Sequence, residues 1–175
     1  MLAGTIAARG GRCEVVGTAT ADAAGDGLLQ DLAAAGVGHA AVLRTDATDL
    51  EPADLELALR YLPDARVIVL LGVDALGSVA STAAAWAGAA LVTVTDGGTP
   101  VGDLPAGEGS IVLAAPPDDP DGAFAGVVAD LAVRVDAGEP LGAAWPATLA
   151  ATGADDVSEG PDRERSAPGR RSGRR

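Results

Sequence analysis

The residues in this chain best suited to do chemistry are the carboxylates of Asp118-Asp119-Pro120-Asp121, which stand directly before Gly122-Ala123-Phe124-Ala125-Gly126. Oxygens at that spacing can ligate a divalent cation, with Asp118 and Asp119 as the metal ligands. The same carboxylates at the start of a helix can instead accept its free N–H groups and complement its dipole. Asp22, three residues before Gly25, poses the same choice between a ligand-side role and a helix cap or turn. A structural zinc or iron site is not expected, because Cys13 and His39 are the single cysteine and the single histidine. His39, between Gly38 and Ala40, has no nucleophile elbow nearby to make a hydrolase triad. No Walker A loop occurs, and no Gly-x-Gly-x-x-Gly follows a strand-like run.

Elements that could position these groups alternate along the chain. Short β-rich runs fall at Cys13–Gly17, Ala40–Arg44, Arg66–Gly72, Leu91–Thr95 and Ser110–Ala114. Val67-Ile68-Val69-Leu70-Leu71 is apolar at every position, as in a parallel strand covered on both faces, and is expected to be a central strand. Helical stripes lie between the runs. Pro52 suits a first helical turn, and Leu55, Ala58, Leu59 and Leu62 follow at helical spacing before Pro63 stops the helix. Leu28, Leu29 and Leu32 mark a helix ending near Gly36, and Leu76, Val79, Ala80 and Ala83 another ending near Gly88. Phe124, Val127, Val128, Leu131 and Val135 give a further stripe that stops before Ala137-Gly138-Glu139-Pro140. The alternation predicts an α/β fold, a layered Rossmann-like parallel sheet with flanking helices, over residues 1–152. Residues 96–109 are turn-rich, fit for a small hairpin or a loop, and 153–175 read as a disordered Arg-rich tail.

Composition narrows the class. Of the 175 residues 48% are hydrophobic but only 2% aromatic, so the core has to be built from Val, Leu and Ala. The net charge of -13 disfavours nucleic acid as a partner, although all 12 basic residues are arginine and six of them gather after residue 157. Those six could contact phosphates or fold back on the acidic body, but the aromatics that stack bases are missing. No apolar run approaches the ~20 residues of a membrane helix, and the first residues lack a signal-peptide pattern. A cytoplasmic protein without membrane partners is the expectation, and a lone cysteine agrees with a reducing compartment.

Two stretches resemble the PfkB (ribokinase-like) carbohydrate kinases. Val15-Val16-Gly17-Thr18 through Asp22-Ala23-Ala24-Gly25-Asp26-Gly27, closing with Ala35-Gly36-Val37, looks like the family's early strand, Gly/Asp turn and helix. Pro120-Asp121-Gly122-Ala123-Phe124-Ala125-Gly126, followed by Gly138-Glu139-Pro140-Leu141, resembles its C-terminal signature Gly-Ala-Gly-Asp-Ala-Phe-x-Gly. The resemblance implies a truncated ribokinase-like fold, ATP and Mg²⁺ as cofactors, and a sugar or nucleotide as small-molecule partner. It implies phosphate contacts from Gly122, Ala123 and Gly126, and a substrate side near Asp22 and Gly25. The family's catalytic aspartate deprotonates the sugar hydroxyl. Here that place aligns with Gly122, and Asp121, one residue earlier, is the substitute base.

The glycine-rich turn is changed as well. Pro120 offers no N–H, and the surrounding carboxylates repel a triphosphate. The family's first strand has no counterpart after Met1. The expected function is therefore a degenerate kinase-like protein that lacks phosphotransfer and acts by residual ligand binding or partner association. Two alternatives stand beside it. One is an active ATP-dependent sugar or nucleoside kinase; the other is an interaction subunit, such as a homodimer, pairing through an exposed sheet edge.

Overall fold

In the computed structural model, residues 1–46, 50–72, 75–96 and 109–153 are described. They form five strands and six helices in the order α1 (Leu2–Ala8), β1 (Glu14–Ala19), α2 (Ala23–Ala34), β2 (Gly38–Arg44), α3 (Pro52–Arg60), β3 (Val67–Leu71), α4 (Leu76–Ala87), β4 (Ala90–Thr95), β5 (Ser110–Ala114), α5 (Ala123–Asp136) and α6 (Leu141–Thr152). Every ladder is parallel, which makes the architecture α/β. The five expected strands and four expected helices are present. Two helices were not anticipated. α1 starts at Leu2, its N-cap Met1 making no side-chain cap bond, and α6 carries Pro146 in its interior. The turn-rich stretch from residue 97 to 108 and the tail from 154 onward lie outside the described residues.

Among the described residues the strands divide into two sheets, β1-β2 and β3-β4-β5. In the larger sheet β3 pairs in register from Val67↔Ala90 to Leu71↔Val94, and β4 continues onto β5 from Leu91↔Ser110 to Thr95↔Ala114. This corrects the expectation for Arg66–Gly72. β4 is the central strand of that sheet, and β3 is its edge. The apolar run misled because it reports coverage on two faces and says nothing about neighbours in the sheet.

That coverage is real. On one face Val92, Val94 and Leu113 pack with Val128, Leu131 and Val135 of α5 and with Ala144 of α6. On the other, Leu70 and Leu91 pack with Ala80 and Ala84 of α4. α1 lies on the α5 face, where Ile6 meets Ala129 and Ala132 and Arg9 pairs with Asp130. Leu131 is wholly buried, and enclosing a leucine of this kind stabilises the fold by about 2 kcal/mol. The smaller sheet carries a bulge between Glu14 and Val16, where the Glu14 carboxylate accepts the Ala40 N–H at 2.8 Å.

Within each sheet the strands run parallel. Gly11, just before β1, lies against Val133 near the end of α5. Arg66, just before β3, donates from Nη1 to the Asp136 carbonyl at 3.1 Å at that same end. β1 and β3 therefore start together, and their carboxyl ends open on the opposite side of the molecule.

Candidate functional site

At the carboxyl ends of the strands, where open α/β sheets bind their ligands, two loops enter helices through aspartates. The first follows β1. Asp22 is the N-cap of α2 in extended backbone geometry, and one of its oxygens accepts the Ala24 and Gly25 N–H groups, both at 3.0 Å. The Thr20 hydroxyl donates to the same oxygen at 2.6 Å. These bonds, the Thr20 hydroxyl first, hold the Asp22 carboxyl below the usual carboxylate range, with Arg44 adding a smaller attraction. Arg44 comes from the end of β2, donating to Asp26 at 2.7 Å and to the Asp22 carbonyl at 3.3 Å. Gly25 is buried at this corner, and a Cβ there would run into the Thr20 carbonyl and the Arg44 guanidinium.

The second loop follows β5. Asp119 directs one oxygen to the Phe124 N–H and the other to the Ala125 N–H, each at 3.0 Å. The free amides at the start of α5 are thus satisfied by the chain's own carboxylate. The Ala125 and Phe124 amides lower the Asp119 pKa. Gly122 is the N-cap with φ 67, a left-handed conformation that glycine adopts without strain, and its carbonyl accepts the Gly126 N–H at 2.8 Å. Ala123 begins the helix, and Gly126 is buried beside the Arg9 guanidinium. Asp118 and Asp121 are exposed in the turn. Among the described residues no group of three or more His, Cys, Asp or Glu side chains gathers at a distance fit for a metal.

Two pairings among the residues singled out in the sequence are therefore real. Asp22 meets Gly25, and Asp119 meets the first turn of α5 behind Gly122 and Ala123. No described hydrogen bond or ion pair joins the two loops. Thr20 and Arg44 were not foreseen as parts of the first loop. Thr20 could have been, since a hydroxyl two residues before an N-cap aspartate is a local signal; Arg44 approaches across the sheet and leaves none.

A third feature lies between the sheets. β1 and β3 are not hydrogen-bonded to each other, yet both line one cavity of about 900 Å³, which also receives Cys13. The Cys13 thiol is half-buried, and burial, then the neighbouring Glu14, pushes its pKa up. No helix among the described residues is long and apolar enough to cross a membrane. Compared with known proteins, the chain matches no family model and no curated sequence significantly.

Proposed function

We propose that this chain is a degenerate sugar-kinase-like protein, of the PfkB type, that does not transfer phosphate and acts by associating with a partner. Asp119 carries the reading. A nucleotide phosphate seated at the start of α5 would need the Phe124 and Ala125 amides, and both are already held by the Asp119 carboxylate. An incoming triphosphate would have to displace that carboxylate and sit beside Asp118 and Asp121. Gly122, at the place of the family's catalytic base, has no side chain to take a proton, and its positive φ suits glycine. Asp121 is exposed in the turn and is not held toward the α5 amides by any described hydrogen bond.

Thermal-shift titration of the full chain with ATP–Mg²⁺ and with common sugars, run beside a phosphotransfer assay, tests the reading. An unchanged Tm at millimolar ATP–Mg²⁺ and no phosphorylated sugar are expected. Turnover abolished by Asp121→Asn would establish the kinase alternative in its place, and a rise in Tm with ATP–Mg²⁺ without turnover would replace partner association with residual ligand binding.

A further inference from the structure

The cavity between β1 and β3 has the walls of a missing strand. A strand of about six residues, the length of β1, rises about 20 Å. The cavity holds about 900 Å³. Its two side walls are strand edges. The Arg66 carbonyl and the Gly72 N–H are both engaged by β4, so alternation turns the backbone groups of Val67, Val69 and Leu71 to the other edge, into the cavity. Across from them, the Cys13 and Ala19 carbonyls are engaged by β2, and the same alternation directs the Val16 backbone inward.

The remaining walls are apolar helices. Leu2, Ile6, Ala132 and Val133 close the face formed by α1 and α5. Leu55, Leu59, Leu76 and Ala80 close the face formed by α3 and α4. Natural edge strands are blunted by charge, proline or bulges, and β3 has none of these. A strand apolar on both sides, standing at an edge with helices already over both of its faces, is built for a neighbour.

We propose that this slot takes one extended, apolar β-strand of about six residues from a partner polypeptide, running parallel to β1 and β3 and bonding to both. The proposal rests on the associative reading above and names its partner. Parallel direction follows because both walls start at the same end of α5. Apolar character on both faces follows from the two helical layers. The chain's own segments at 97–108 and after 153 are rich in Gly, Pro and charge, residues depleted from strand interiors. A second copy has its all-apolar run already engaged with β4. Neither of these fits the slot as the donor.

The test adds to the full-length protein a synthetic peptide of alternating valine and isoleucine, about six residues long and flanked by lysines for solubility. A control of the same sequence carries N-methyl groups on every amide of the run, which keep its apolar surface and remove its donors to both walls. The parent peptide is expected to raise Tm by roughly 5 °C or more at saturation. It should slow alkylation of Cys13 about ten-fold and protect the Val67, Val69 and Val16 amides from hydrogen exchange, while the control does none of these. Equal effects from both peptides would mean a plain apolar pocket and overturn the proposal. So would protection confined to the outer edges of β2 and β5, or protection of the slot amides in a peptide-free dimer. No effect from either peptide, with ATP–Mg²⁺ also without effect, overturns the strand slot and leaves the non-catalytic reading standing. Phosphotransfer from ATP–Mg²⁺ overturns that reading whatever the peptide does.

Discussion

Asp119 gives its two oxygens to two different amides, so an isosteric amide cannot replace it. In Asp119→Asn one oxygen still accepts, while the side-chain NH₂ faces the second N–H donor to donor. Tm should fall by roughly 2–4 °C at neutral pH, as for a lost cap. The pH dependence has a definite sign. The folded pKa lies below the unfolded value near 3.9, so the stabilisation is complete above that value and is lost as pH falls through it toward the folded pKa. Calorimetry from pH 7 to pH 3 should therefore show the parent and Asp119→Asn melting temperatures converging at the acid end. Gly25→Ala is a harsher change, because the added methyl meets the Thr20 carbonyl and the Arg44 guanidinium at a buried corner. Its cost should be about 1–3 kcal/mol, read from urea unfolding with unchanged slope. Both caps were legible from acidic residues set just before apolar helical stripes. The Arg44 contact was not, since Arg44 and Asp22 are neighbours only once β2 lies beside β1.

The elements were legible in proportion to how local their causes are. Runs such as Val67–Leu71 and Leu91–Thr95 announce strands because β-branched and aliphatic side chains suit a covered pleat. α4 announces its end through Gly88, left-handed at φ 65. α1 and α6 escape because the first has no cap signal and the second has a proline within an apolar stretch, a residue that ordinarily ends a helix. Pairing is the least local property of all. Nothing within Val67–Leu71 distinguishes a strand with two neighbours from one with a neighbour and a cavity. In β4 the physics leaves one visible defect. The Thr93 hydroxyl is fully buried and, among the described residues, has no hydrogen-bond partner. Thr93→Val keeps the shape and removes the orphaned group, so it should stabilise the protein by about 1 kcal/mol in chemical denaturation. A loss of stability would mean that the hydroxyl finds a partner in solution.

At the scale of the whole molecule, no ladder among the described residues joins β1-β2 to β3-β4-β5. What ties them is helix packing, α1 against α5 and α3 against α4, with α3 also reaching β1. Helical contacts of this kind resist separation without locking register, so the β1-α2-β2 unit can open as a cooperative piece while the larger core stays closed. Native-state hydrogen exchange in rising denaturant should then release the Gly38 and Thr45 amides, bonded across β1 and β2, through a subglobal opening. The Ala90 and Leu91 amides, inside the larger sheet, should exchange only with global unfolding. A single isotherm for all four would show that the molecule opens as one unit. Two such foldons would be fused into one by an intervening strand, so that occupancy would be readable as cooperativity as well as affinity.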